Sequence, residues 1–190
     1  MIKSKEDYRL YLAEDRKALG IQRKRPSFFG SEIWKYEILL RKLEYHTNCK
    51  SNFLLWPYVL YLKYTFHTLG IKLNFEIPLN VCGPGLNLPH IGTVIIHAEK
   101  IGANCKIHSG VNIGKKHGKS PTIGNNVYIG PGAKIFGGIE IADNIAIGAN
   151  AVVDKSFLEP NITIAGVPAR KLNNKGSGWL LTREEGGNAM

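Results

Sequence analysis

Two histidines of this chain, His90 and His108, stand 18 residues apart. An imidazole gains and loses a proton near neutrality, so a positioned histidine can act as a general base toward a hydroxyl. A second chemistry-bearing stretch runs Lys115-Lys116-His117-Gly118-Lys119-Ser120-Pro121. Its lysines could contact a phosphate or another anionic ligand. His46, His67 and His97 lack a comparable context. The three cysteines, Cys49, Cys82 and Cys105, are odd in number and lack metal-type spacing. The histidines also lack the close pair that a three-histidine zinc site needs. No metal is therefore expected, and the cysteine usage suits a reducing compartment.

The element that must position these residues is a repeat. Isoleucine recurs every six residues at Ile95, Ile101, Ile107 and Ile113, then again from Ile123 through Ile129, Ile135, Ile141 and Ile147 to Val153. Glycine follows at Gly102, Gly114, Gly124, Gly130 and Gly148. A small or aliphatic residue stands four positions after the isoleucine, as at Cys105, Ala133 and Ala151. A period of six matches neither the 3.6 of a helix nor the 2.0 of a strand, and it marks a parallel β-helix of hexapeptides. Three hexads make one coil, and residues 77–164 supply roughly five coils at that period. The glycines either relieve crowding at the corners or allow a positive φ. His90 and His108 are one coil apart and should stack on one face. Four additional residues between Ile113 and Ile123 make a loop, and loops on rigid scaffolds often carry function. A β-sandwich would show longer and less regular strand spacing.

Residues 1–75 lack the hexad and read as helical. The first helix runs from Lys5 to Leu19 and stops at Gly20. Ser31 is a cap for a helix to about Tyr45, and Asn52 for a third ending before Gly70. Residues 53–62, FLLWPYVLYL, are too few to span a bilayer. Burial against the β-helix or a neighbouring subunit is expected for them, with a membrane interface as the alternative. Of the net charge of +10, most lies here: residues 1–75 hold 14 Lys and Arg against 7 Asp and Glu. This basic region suits a peripheral contact with an anionic membrane or glycan. No nucleic-acid module surrounds Arg23-Lys24-Arg25, so no nucleic acid is expected as a partner. The N-terminus is charged and has no signal-peptide core, which points to the cytoplasm, or to the inner face of its membrane. The expected organisation is a helical region 1–75, a β-helix 76–171 and a polar, flexible tail 172–190 in which Trp179 is a docking point.

The segment Gly85-Leu-Asn-Leu-Pro-His90-Ile-Gly-Thr-Val-Ile-Ile96, with Ile129-Gly-Pro-Gly-Ala-Lys-Ile135 and Ala165-Gly-Val-Pro-Ala-Arg170, resembles serine acetyltransferases and their hexapeptide-repeat relatives. That branch includes O-acetyltransferases of capsular and other surface polysaccharides. The resemblance covers residues 76–171 well and the helices loosely. It implies a left-handed β-helix, a homotrimer and acetyl-coenzyme A as donor. By the same resemblance His90 is the catalytic base and Glu76 the carboxylate that orients it. His108 and His117 are further active-site candidates. Gly114, Lys115, Gly132, Ala133, Ala151, Arg170 and Lys171 are the expected coenzyme contacts.

The chain also departs from that family. Pro89 stands where serine acetyltransferases have Asp before the histidine, and Lys119-Ser120-Pro121 replaces their Arg-His-Pro. An ammonium group needs a carboxylate partner, and a carboxylate is best clamped by Arg. The expected acceptor is therefore a sugar hydroxyl of a surface polysaccharide or its precursor. Serine O-acetylation for cysteine biosynthesis is the alternative, and a non-enzymatic scaffold is a third.

Overall fold

The computed structural model describes residues 1–50 and 53–179. Three helices precede a parallel β-helix. Ser4 caps α1 (Lys5–Ala18), its Oγ accepting from the Asp7 backbone N–H at 3.0 Å. Ser31 precedes α2 (Glu32–Cys49) but does not cap it through its hydroxyl. The Ser31 Oγ instead accepts from Arg23 at 2.7 Å. The expected cap Asn52 lies outside the described residues. α3 (Trp56–Leu73) runs through Gly70 rather than ending before it. A Cβ at Gly70 would lie 3.0 Å from the Phe75 carbonyl oxygen and 3.4 Å from the Tyr36 ring, so this glycine serves close packing. The helix ends instead at Asn74, which adopts a left-handed conformation.

The β-helix has three faces. Face 1 stacks β1 (Phe75–Glu76), β2 (Val94–Ile96), β5 (Val111–Gly114), β8 (Lys134–Phe136) and β11 (Val152–Val153), all parallel. Face 2 stacks β3 (Lys100–Ile101), β6 (Thr122–Ile123) and β9 (Glu140–Ile141). Face 3 stacks β4 (Lys106–Ile107), β7 (Tyr128–Ile129), β10 (Ala146–Ile147) and β12 (Thr163–Ala165). The core is a column of Ile and Val from successive coils, such as Ile107, Ile129, Ile147 and Ile164, each fully buried. One position departs from the period. Ile96, not Ile95, enters the core and pairs with Ile113. On face 1 the first coil, Phe75 to Val94, is thus one residue longer than 18 and the next, Val94 to Val111, one shorter, and Ile95 faces outward.

The corner glycines and asparagines divide their tasks. A Cβ on Gly102 would meet the Gly124 carbonyl oxygen at 2.5 Å, and one on Gly130 the Ile147 oxygen at 2.8 Å. Close approach of the next coil is therefore what requires these glycines. Positive φ falls instead on Asn104, Asn126, Asn144 and Asn161 at the turn from face 2 to face 3. Asparagine tolerates that conformation. The side chains also form a ladder: Asn104 Nδ2 donates to Asn126 Oδ1 at 3.2 Å, and Asn126 Nδ2 to Asn144 Oδ1 at 2.9 Å.

The helices close the first coil. A solenoid end leaves unpaired backbone groups, which must be covered or paired. Arg41, fully buried on α2, donates to the carbonyls of Cys82 at 2.9 Å and Gly83 at 2.7 Å. Asp15 accepts from the Leu86 N–H at 2.9 Å, Glu44 from the Asn80 N–H at 2.7 Å and Glu37 from the Leu88 N–H at 3.3 Å. Arg41 also pairs with Asp15 at 2.7 Å and Glu44 at 3.1 Å. Burial opposes the Arg41 charge, but Asp15 and Glu44 raise its pKa above the ordinary value. Burial and the neighbouring Asp15 push the Glu37 carboxyl well above the usual carboxylate range.

At the other end, β13 (Arg170–Asn173) turns back antiparallel to β12. Ser177 is buried; its N–H donates to Asn144 O at 3.0 Å and its hydroxyl donates to Asn126 O. This segment is thus held against the β-helix by Ser177 and by Trp179, whose ring lies 5.0 Å from that of Tyr128. Of the two burials expected for FLLWPYVLYL, the one against this chain's own β-helix does not occur. Phe53, Leu54, Trp56, Leu60 and Tyr61 are exposed, and Leu62 alone among them is buried. Among the described residues no helix is long and apolar enough to cross a membrane.

Arg41→Ala should lower folding stability by about 3–5 kcal/mol, because it strands Asp15 and Glu44 in the interior. A urea midpoint unchanged from the parent protein would contradict this.

Candidate active site

His90 is exposed at the turn that leads from face 3 to face 1. His108 occupies the same turn one coil later, and the two ring centroids are 5.7 Å apart. The row continues through Tyr128, 5.1 Å from His108, to Trp179, 5.0 Å from Tyr128. Backbone bonds tie the turns into one edge of the prism. Gly110 N–H donates to Thr93 O at 2.6 Å, Gly132 N–H to Ser109 O at 3.0 Å and Asn150 N–H to Pro131 O at 2.8 Å. His90, His108, Gly132, Ala133 and Ala151 therefore share one edge. The β-helix forces this, because every coil turns at the same place.

The sequence anticipated the two histidines but not the aromatic row. Tyr128 lies on face 3 in register with Lys106, two residues ahead of the turn that holds His108, so counting coils from the histidines did not reveal it. Burial lowers the His108 pKa below the ordinary 6.5, and Lys106 and His90 lower it further. His108 Nε2 is buried without a hydrogen-bond partner.

The expected coenzyme contacts divide into three places. Ala133 and Ala151 are fully buried, so only their backbone faces outward. Their carbonyls accept from Asn112 N–H at 3.0 Å and Lys134 N–H at 2.8 Å, while their own N–H groups make long bonds of 3.3 and 3.4 Å. Gly114 and Lys115 lie on the next edge, between faces 1 and 2. There Lys116 and Lys119 exchange backbone bonds at 3.0 and 3.1 Å across His117 and Gly118, both at positive φ. The insertion is thus a two-residue hairpin turn with His117 exposed at its tip. Lys115, Lys119, Ser120, Glu99 and Glu140 line a cavity of about 600 Å³ beside it. One chain does not bring His117 to the edge that carries His90. Arg170 and Lys171 sit on β13, where Lys171 pairs with Glu159 at 2.6 Å.

Glu76 does not meet the expectation placed on it. Its Oε1 lies 3.2 Å from Nε2 of His97, not against His90. Glu76 and His97 both lie on face 1 or at its exit, whereas His90 lies at its entrance. Glu76 also rims a cavity of about 620 Å³ between α3 and face 1, walled by Tyr36, Phe66, Phe75 and Ile95. Nothing in the sequence marked this cavity, because it exists only once α3 docks. Cys82 and Cys105 are buried and their thiols are pushed up to about 12, which leaves them inert packing residues. Among the described residues, no three His, Cys, Asp or Glu side chains are grouped to hold a metal ion.

The fold and this repeat define a class. The family described as "Bacterial transferase hexapeptide (six repeats)" matches residues 120–155. The chain is also similar to serine acetyltransferases. It is 38% identical over 99 residues to the enzyme of Synechococcus elongatus, covering 50% of this chain and 40% of the relative. It is 42% identical over 108 residues to that of Helicobacter pylori strain J99, covering 54% and 61%. The chain thus spans about half the length of these curated relatives. Among solved structures, the serine acetyltransferase of Brucella abortus strain S19 superposes with a TM-score of 0.67 at 24% identity, over 91% of this chain and 72% of that one. A Neisseria gonorrhoeae serine acetyltransferase in complex with serine gives 0.65 at 25% identity, over 87% and 69%.

His108 should titrate below 6.5 when followed by NMR, because burial and the adjacent cations disfavour its proton. Its contribution to stability is then complete above the unfolded value and is lost as pH falls through that value toward the lower folded one. A His108 midpoint above 6.5 would reverse the sign.

Proposed function

We propose that this chain is an acetyl-coenzyme A-dependent O-acetyltransferase with L-serine as its leading acceptor. The observation that carries the transfer chemistry is His90, exposed on one edge of the prism and stacked against His108. The similarity to serine acetyltransferases carries the choice of donor and acceptor. A solved serine acetyltransferase from Brucella abortus is described in complex with coenzyme A, which supports the donor.

In this reading His90 removes the acceptor hydroxyl proton as the oxygen attacks the thioester carbonyl. The tetrahedral adduct collapses, the C–S bond breaks, and the proton passes from His90 to the departing thiolate. His108, kept neutral by burial and its neighbours, lies beside His90 and adds no competing charge. The thinly bonded N–H groups of Ala133 and Ala151 are donors available to the pantetheine amides along the same edge. Gly114, Lys115 and His117 stand on another edge, so they act at this site from a neighbouring copy of a homotrimer. Arg170 and Lys171 remain candidates for the coenzyme phosphates, with Lys171 exchanging its Glu159 partner. Glu76, engaged with His97, is a weaker candidate than the sequence implied.

A second acceptor has its own support. Pro89 leaves no carboxylate directly before His90, and Glu76 is already paired, so a serine ammonium finds little to hold it within this chain. This favours an uncharged sugar hydroxyl, as in capsular or other surface polysaccharides. The relatives from Synechococcus elongatus and Helicobacter pylori are serine acetyltransferases, and serine therefore takes precedence. The basic N-terminal region supports an anionic partner, a membrane surface or a glycan, under either reading.

Labelled acetyl-coenzyme A should transfer its acetyl group to L-serine in preference to nucleotide sugars and oligosaccharides. Transfer to a sugar alone would select the second acceptor, and transfer to none, with coenzyme binding absent, would leave a scaffold. His90→Ala should reduce transfer by about 10²–10⁴-fold while coenzyme A still binds. Near-parental turnover in that variant would remove His90 from the mechanism.

A further inference from the structure

The outer face of α3 is apolar and open. Phe53, just before the helix, and Trp56, Leu60, Tyr64 and Ile71 along it recur at spacings that place them on one side. They are exposed by 87%, 62%, 51%, 68% and 68%. The opposite side supplies Leu62, Gly70 and Leu73 to the interior. At about 1.5 Å per residue the apolar row from Phe53 to Tyr64 is roughly 17 Å long, and the exposed His67 separates it from Ile71. A row of that length is more than the scattered apolar surface that every protein carries.

Charge narrows what can cover it. Between Glu44 and Glu76 the chain has no Asp or Glu, while Lys50, Lys63 and Lys72 are present and exposed. Lys42 Nζ lies 5.2 Å from the Tyr58 ring centroid at the same end of the helix pair. A face with aromatic rings, lysines and no acid suits an anionic surface. A two-fold contact of this helix with its copy would set the same lysines against each other, with no carboxylate from the helix to offset them. Trp and Tyr favour the boundary between lipid headgroups and acyl chains, and lysine favours anionic headgroups. The helix does not qualify as a membrane span.

We propose that α3 is a membrane-docking helix. It lies in the plane of an anionic bilayer, with Trp56, Leu60 and Tyr64 in the headgroup boundary and Lys50, Lys63 and Lys72 against anionic headgroups. This stands apart from the acyl-transfer reading, since none of these residues is placed in that site. It also explains why an apolar run too short to span remains outside the protein core.

The test uses the full chain with vesicles of phosphatidylcholine, with and without phosphatidylglycerol. Binding should appear on the anionic vesicles, weaken at least tenfold on neutral ones, and fall as salt rises. Trp56→Glu with Leu60→Glu should weaken binding to anionic vesicles at least tenfold while leaving circular dichroism and acetyl transfer unchanged. Lys63→Ala with Lys72→Ala should lessen the preference for anionic lipid in the same assay. Absence of binding to anionic vesicles, or equal binding by the parent and the Glu variant, overturns the proposal. So does a Glu variant that loses a subunit by light scattering while the parent ignores vesicles, because the face is then a contact between copies.

Discussion

Backbone hydrogen bonding from each coil to the next is the constraint on which the molecule depends. It holds successive strands at a separation of about 4.8 Å, and every corner must repeat at that spacing. Where the chain passes closest, only glycine fits, as at Gly102 and Gly130. At the turn from face 2 to face 3, Asn104, Asn126 and Asn144 take positive φ and bond one to the next. The same vertical repetition stacks His90 on His108 and sets the small residues of later coils on their edge. The row of histidines and small residues on this edge is thus a by-product of the way the prism is hydrogen-bonded.

Such a stack also has ends. The first coil would expose N–H and C=O groups as an unpaired strand edge. Here the solution is ionic. Arg41 donates to two of its carbonyls while Asp15, Glu37 and Glu44 accept from its amides. A buried charge cluster is a weak source of net stability. Its value here lies in direction, because three acceptors and one multiple donor fit one register of the first coil. The helical region is therefore bound to the β-helix through side chains that end the sheet. At the far end, β13 performs the equivalent task by pairing the backbone of β12.

The geometry also separates what belongs to one chain from what needs a neighbour. His90 lies on the edge between faces 3 and 1, and the lysine hairpin on the edge between faces 1 and 2. A rigid triangular prism cannot bend one edge to the other. Any site that uses both must be assembled between prisms, which gives the proposed trimer a chemical purpose. Glu76 illustrates the opposite case. A single-residue shift within the first coil, seen also in Ile96 replacing Ile95 in the core, coincides with a pairing to His97 in place of His90.

The sequence alone determined the prism, because a six-residue period leaves its apolar residues no other regular place to meet. It also located the insertion and the vertical pairing of His90 with His108, since both follow from counting. It did not reveal Tyr128 and Trp179 above those histidines, because Tyr128 is in register with Lys106 and Trp179 lies in the segment that follows β13. Nor did it reveal the Arg41 cluster. Asp15, Glu37, Arg41 and Glu44 read as ordinary charges on amphipathic helices until the first coil supplies the backbone groups they satisfy. The run FLLWPYVLYL looked like core from composition. Only the docking of α3 decided which side of it is covered, because α2 and β1 together can bury one side of a helix and leave the other to face whatever lies outside the chain.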